Sequence, residues 1–417
     1  NPRPAVPAVG GTLQVASYNV LNYFTTLGSR GADTAEEFER QEAKIVAGMI
    51  ALDAEVYGLL EIENNGTALD TLVAALNEKA GAGTYAAVTT GAIGLDEIAP
   101  ALVYRPAAVT PVGTFAFKVY DDLNRPTLVQ TFEEKATGAR FNVAVNHLKS
   151  KGSACVDDPD TGDGQGNCNL TRLNAARQMA EWLASDPTGQ NSTNTLIVGD
   201  LNSYDHEDPI KALVAAGYTD LEKKYGGEQA YSYVFDGQKG YLDYPLSSES
   251  LTPQVTGAGA WHINADEVSL LDYDMSFKQP AQDALYAPDP YRSSDHDPVL
   301  VGLNLKGLDR TPPTLSVRLL PSNLYWNSKL LLPIVASVRA ADDQPGVTWR
   351  LVSVTSSEPD FGGKDRTRGD IVILDRHLVL VRDERVAAVR TYTFTYEAKD
   401  AAGNITTTRA TVTVRRP

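Results

Sequence analysis

The sequence predicts an α+β fold in two parts, a mixed helix-and-strand domain over residues 11–307 and a small all-β sandwich over residues 308–417. Three observations lead there. Up to residue 307, stretches of helical and of strand-like periodicity follow one another, whereas beyond it only short β-branched and aromatic alternations occur. Charge breaks at the same place: residues 308–417 carry 16 Lys and Arg against 12 Asp and Glu (+4), and residues 1–307 carry 21 against 41 (−20). The segment Asp309-Arg-Thr-Pro-Pro-Thr lies on the break, and its proline pair resists regular structure.

Taken in order, Asn1-Pro-Arg-Pro-Ala-Val-Pro, without an initial Met, reads as the linker of a trimmed product, residues 1–10. Leu13–Tyr18, Val56–Leu60, Ala101–Tyr104, Phe141–Val145, Thr195–Val198 and Val299–Leu303 read as strands. Residues 36–52, 67–80 and 171–185 read as helices; in the last, Leu173, Ala176, Ala180 and Leu183 share one stripe. Cys155 and Cys168, the only cysteines, flank a Gly/Asp-rich loop and read as a local disulfide of a secreted protein, with a pair of free thiols as the alternative. In the tail, Thr391-Tyr-Thr-Phe-Thr-Tyr and Thr406–Val414 alternate around the turn signal Ala402-Gly-Asn.

The chain has 417 residues and a formal net charge of −16, which argues against binding nucleic acid or anionic lipid through one broad basic face. An enzyme that meets phosphate through metal ions is still open. No stretch approaches the roughly 20 apolar residues that a membrane-spanning helix needs.

Polar residues gather at strand ends. Asn19 follows the first strand and Glu61 ends the second. His147 follows Phe141–Asn146, Asp200 and Asn202 follow Thr195–Gly199, and Asp295-His296 precede Val299–Leu303. Carboxylates and amide oxygens are hard ligands suited to Mg²⁺ or Mn²⁺, and two histidines add proton transfer near neutral pH. The set points to metal-assisted hydrolysis of a phosphate ester.

The strings Ala16-Ser-Tyr-Asn19-Val-Leu-Asn, Leu59-Leu-Glu61-Ile-Glu, Asn146-His147-Leu-Lys149-Ser-Lys-Gly, Gly199-Asp200-Leu-Asn202-Ser, Leu242-Asp243-Tyr and Ser294-Asp295-His296-Asp-Pro-Val occur in this order. They resemble the motifs of the endonuclease/exonuclease/phosphatase superfamily, the deoxyribonuclease I and exonuclease III type. Within it the chain most resembles secreted bacterial nucleases that share the Asn1-Pro-Arg-Pro lead, the two-cysteine loop and the Trp261-His-Ile-Asn-Ala-Asp-Glu segment. The tail, opening on Thr-Pro-Pro-Thr and closing with Asp400-Ala-Ala-Gly-Asn, resembles bacterial immunoglobulin-like modules. The resemblance implies a four-layered α/β sandwich followed by an immunoglobulin-like β-sandwich.

It further implies that Glu61 is the principal metal ligand, with Asn19 and Asp295 completing the site. His296 becomes the general base or the contact to the scissile phosphate, held by Asp243, and His147 an acid or transition-state stabiliser. Asp200 orients or deprotonates the attacking water and Asn202 donates to a phosphate oxygen. Lys149 and Lys151 are candidate backbone-phosphate contacts, with a solvated pair as the plain alternative. Family members pair the first histidine with a Glu that has no clean counterpart in this sequence; Asp96 or Glu97 is the substitute. Asp158, Asp160 and Asp163 resemble a calcium loop without its twelfth-position Glu, so Ca²⁺ as a structural ion stands beside a plain acidic loop.

The function expected is a secreted, divalent-metal-dependent nuclease that hydrolyses extracellular DNA, with RNA as a second substrate. Cleavage is expected to be endonucleolytic and little sequence-specific. The alternative is a phosphomonoesterase or phosphodiesterase of the same superfamily acting on nucleotides or lipid headgroups; a binding protein with a degenerate nuclease domain is the non-enzyme reading. A bacterial extracellular or cell-surface location, a monomeric state and a tail that contacts DNA or the cell surface complete the expectations.

Overall fold

The structure is a computed structural model that describes residues 3–307, 309, 311–325, 328–361 and 367–415. The chain divides into two compact units, Asn1–Gly307 and Leu308–Pro417.

The first unit contains β1 (Leu13–Tyr23), α1 (Ala35–Leu52), β2 (Val56–Glu63), α2 (Ala68–Ala80), β3 (Ala86–Ala87), β4 (Ile98–Tyr104), β5 (Val109–Lys118), β6 (Thr127–Glu134), β7 (Arg140–His147) and α3 (Asn169–Ala184). There follow β8 (Thr195–Asp200), α4 (Asp208–Ala215), β9 (Thr219–Asp220), α5 (Leu221–Gly226), β10 (Tyr233–Phe235), β11 (Gln238–Gly240), β12 (Asp243–Ser247), β13 (Val255–Ala260) and β14 (Val299–Leu303). One six-stranded sheet has the order β13-β14-β1-β2-β4-β3, a second has β5-β6-β7-β8-β12-β9, and β10 and β11 form a separate hairpin.

Period-2 alternation sorts the strand side chains between layers. Phe141, Val143 and Val145 of β7 and Leu196 and Val198 of β8 join Val15, Val56 and Leu60 in the core between the sheets. Ala144 and Ile197 face the other way, onto Ala176 and Met179 of α3. On the far side Tyr18, Tyr57 and Leu59 pack against Met49 of α1 and Leu72 of α2. The order is thus helices, sheet, sheet, helices. Each fully buried Val or Leu contributes about 1.5–3 kcal/mol. Gly58 permits the close approach of the sheets, because a Cβ there would lie 2.6 Å from Val198 Cγ2. Helix α1 starts at Thr34 in a reciprocal capping box with Glu37.

Six strands beyond those read from the sequence, β3, β5, β6, β9, β12 and β13, complete the two sheets. In β6 the buried Thr127, Gln130 and Thr131 interrupt the apolar alternation, and β13 is the glycine-rich Val-Thr-Gly-Ala-Gly-Ala. The predicted linker is corrected in part: residues 3–10 are strapped to the domain. Arg3 pairs with Asp289 at 2.7 Å, Pro4 O accepts from the Trp261 indole at 2.9 Å, and Val9 is buried. Asn1, Pro2 and, at the boundary, Arg310 lie outside the described residues.

In the second unit, residues 314–320, 331–341, 378–382 and 371–373 form one four-stranded sheet. Residues 323–324, 405–414, 390–399 and 348–356 form the other. Ile334, Val379, Tyr392, Phe394 and Val412 fill the core between them. Arg390 is buried there with Asp370, Nη2 to Oδ2 at 2.6 Å.

Candidate active site

Topology brings the polar strand ends together. β1 and β2 are parallel, as are β7 and β8, and the latter register places His147 beside Asp200. Strand β12 runs antiparallel to β8 with Asp243 opposite Asp200. Strand β14 runs antiparallel to β1 from Val299 opposite Ser17, so Asp295 and His296 arrive at the edge where Asn19 leaves. Ends of four strands and starts of two therefore share one edge.

Glu61 sits at a bulge where β1 and β2 lose register, with φ of 65°, and Leu21 and Asn22 opposite are also left-handed, at 50° and 49°. Each such non-glycine residue costs of order 1–3 kcal/mol. Contacts to the Glu61 carboxylate offset this: Asn22 N–H donates to Oε2 at 2.9 Å and Asn19 Nδ2 to Oε1 at 3.0 Å. Burial, then the Asp295 charge, raise the Glu61 carboxyl above its usual range. Two hard carboxylates that repel each other beside an amide fit a divalent cation, which would remove the repulsion.

His296 Nδ1 lies 2.7 Å from Asp243 Oδ2, an oxygen that also accepts from Ser232 Oγ at 2.7 Å. Tyr233 stacks on the imidazole with centroids 4.5 Å apart. Burial disfavours charge on His296, but Asp243, Asp295 and Asp200 outweigh it and raise its pKa well above the ordinary value.

Asp200 lies between the two imidazoles, its Oδ2 3.6 Å from His147 Nε2 and 3.9 Å from His296 Nε2. Burial pushes its carboxyl up to about 7, against the pull of His296. Asn202, left-handed at φ 47°, donates its backbone N–H to Asp200 Oδ1 at 2.8 Å. Its side-chain amide donates to Asp200 Oδ2 and Leu148 O, both at 3.1 Å. The amide thus holds Asp200, whereas the sequence assigned it to a phosphate oxygen.

His147 is buried, and its Nδ1 has no hydrogen-bond partner among the described residues. Burial, then Arg125, push its pKa well below the ordinary value. Asp96 does not orient it, which corrects that expectation: the Asp96 carboxylate accepts from Arg125 Nε at 2.9 Å and Arg30 Nη1 at 3.5 Å, because two cations lie nearer. Arg125 is itself buried and, with Arg30, lines the cavity.

Of the two lysines, only Lys151 reaches the cavity. Lys149 is turned onto Ser150 O and Ser153 Oγ, away from the cavity lining. Lys151 lines the cavity while ion-paired to Glu207. The calcium loop is also corrected. Asp158 accepts from Thr171 in the first turn of α3, while Asp160 accepts from Gly162 N–H and Asp163 from Gln165 N–H in two separate local turns. Among the described residues these three carboxylates do not converge on one point. Cys155 and Cys168 are disulfide-bonded. Their loop supplies Asp160, Gly166 and Asn167, and the segment before it Ser150 and Gly152, to the lining of a cavity of about 480 Å³, which also exposes Glu61, His147, Asp200 and His296. Of the other histidines in this unit, His206 is 82% exposed and His262 pairs with Asp297.

Sequence reading missed Arg30, Arg125, Ser232, Tyr204, Tyr233 and Phe235. An arginine before a proline at the start of a strand, as in Arg125-Pro126, was the available signal for one of them.

No family model and no curated protein sequence matches the chain. Solved structures similar to it include endonuclease/exonuclease/phosphatase proteins. One, a family protein from Bacteroides thetaiotaomicron, has 18% identity and TM-score 0.47 over 69% of this chain and 96% of its own. The catalytic domain of human Nocturnin with a bound sulfate anion has 18% identity and TM-score 0.46 over 69% and 93%. A mannosyl-6-phosphatase from Bacteroides thetaiotaomicron has 20% identity and TM-score 0.47 over 70% and 99%.

Proposed function

We propose that residues 1–307 form a divalent-metal-dependent phosphodiesterase that hydrolyses nucleic acid, chiefly DNA, by attack of water. The observation that carries this reading is Asp200 placed between the Nε2 atoms of His147 and His296, beside the Glu61–Asn19 pair. Glu61 and Asp295, with Asn19 in support, would hold the ion, which supplies charge stabilisation at a phosphate oxygen. Asp200, poised near neutral pH, takes the proton of the attacking water. His296, fixed by Asp243, donates from Nε2 to the reacting phosphate. His147, uncharged, donates a neutral N–H on the other side. Arg125 and Arg30 bring positive charge into a unit of net charge −20, where long-range repulsion of a polyanion must be met locally.

The disulfide supports action in an oxidising compartment outside the cell. The second unit, read as immunoglobulin-like and carrying +4, is proposed to hold DNA or a cell-surface polymer. No described helix is long and apolar enough to cross a membrane.

A 5′-phosphorylated oligonucleotide separates the proposal from a phosphomonoesterase. Strand shortening without release of inorganic phosphate is expected. Phosphate release from an uncut strand would reverse the assignment.

A further inference from the structure

We propose that the β10–β11 hairpin is a base-stacking arm, on which Phe235, flanked by Tyr204, receives one unstacked nucleobase of the strand being cut. This rests on the nuclease reading and adds to it a preference for unpaired nucleotides.

The cavity lining combines two kinds of group. It carries Arg30, Arg125 and Lys151, suited to phosphate, together with Tyr204, Tyr233 and Phe235, and Lys151 Nζ lies 5.3 Å from the centre of the Tyr204 ring. The cavity volume of about 480 Å³ lies in the range of roughly 300–1,000 Å³ typical of small-ligand pockets, so it accommodates a nucleotide unit. Tyr233 is already spent on His296. Phe235, 60% exposed at the hairpin turn, keeps its ring available.

The hairpin is fastened from outside. The Tyr231 ring is held between His262, stacked at 3.8 Å with planes 1° apart, and Lys239 Nζ, 3.7 Å from its centroid. His262 is anchored in turn by Asp297 at 2.8 Å, and Lys239 by Asp266 at 3.2 Å. Tyr204 lies against the second strand of the hairpin, where only glycine fits: a Cβ on Gly240 would come within 2.6 Å of Tyr204 Cε1. An aromatic ring on a fastened arm, lining the same cavity as the cations and the histidines, is already organised for a stacked base with its phosphate at the histidines.

The test compares cleavage of a single-stranded thymidine oligomer with that of an oligomer whose central sugars lack bases. A stacked base is worth about 1–3 kcal/mol, or roughly 5–150-fold. The wild type is expected to prefer the thymidine oligomer by at least five-fold in kcat/KM. Phe235→Ala, at an exposed site, is expected to erase that preference, and Phe235→Trp to keep it. A preference unchanged in Phe235→Ala, or absent from an active wild type, overturns the arm while leaving the nuclease reading intact. Cleavage of neither oligomer overturns the nuclease reading and the arm together.

Discussion

Asp243 Oδ2 accepts from both His296 Nδ1 and the Ser232 hydroxyl, each at 2.7 Å, so one buried oxygen fixes the ring that faces the cavity. Replacing Asp243 with Asn offers an amide where an acceptor is needed and frees the imidazole to turn. Asp243→Asn is expected to lower kcat by about 10²–10⁴-fold with little change in KM. Ser232→Ala, which removes one donor, is expected to cost about ten-fold or less. Steady-state kinetics on an oligonucleotide decide both.

Asp200, as the proposed base, is expected to set the acid limb of the pH profile. Its carboxyl is raised to about 7 chiefly by burial, so the base form is scarce below that pH and complete above it. The expected kcat/KM rises with pH through about 7 and then levels. A profile already flat from pH 5.5 would remove Asp200 from the role of base.

Arg125 connects Asp96 to the cavity. Arg125→Ala leaves Asp96 with Arg30 and removes a charge-assisted donor worth about 1.5–3 kcal/mol, expected as a ten-fold or greater rise in KM and a shallower salt dependence. Asp96→Asn is expected to have a smaller effect of the same sign. A normal KM in Arg125→Ala would contradict the assignment.

The Cys155–Cys168 bond closes the loop that walls the cavity. A loop of about 15 residues contributes about 3 kcal/mol in the chain-entropy model. Reduction, or the Cys155→Ser/Cys168→Ser double variant, is expected to lower Tm and to lower activity while the protein is still folded. Calorimetry with a parallel activity assay tests this, and unchanged activity in the folded reduced protein would show that the wall is dispensable.

Glu222 is buried in α5 with Oε1 unpartnered among the described residues, and burial followed by Asp220, Asp243 and Asp297 raises its carboxyl to about 8. A raised folded-state pKa means stability that is full below the unfolded value of about 4.3 and lost as pH rises through about 8. Glu222→Gln is expected to narrow the loss of Tm between pH 6 and 9. An equal loss in both proteins would contradict it.

The strand-borne part of the site was legible because period-2 alternation locates strand ends, and the polar residue after each end is a local signal. Glu61, His147, Asp200 and His296 were found in this way. What escaped depends on packing between distant segments. Which cation claims Asp96 is decided by Arg125, 29 residues away, and Tyr233 meets His296 across more than 60 residues. The acidic loop misled for a local reason, since the Asp spacing of a calcium loop also suits turns in which Asp caps the N–H two residues on. Strand β6 was obscured by threonines whose hydroxyls are satisfied internally, as in Thr131 Oγ1 donating to Asn142 Oδ1 at 2.6 Å.

The central claim is that Glu61, Asp295 and the two histidines carry out metal-dependent cleavage of a phosphodiester within a strand. Supercoiled circular DNA tests it most directly, since a circle offers no ends. With Mg²⁺ or Mn²⁺ the full chain is expected to yield relaxed and then linear DNA, and EDTA, Glu61→Gln and His296→Ala are each expected to abolish this. Nicking that persists in EDTA or in either variant, or a circle left intact by the metal-loaded wild type, would contradict the account.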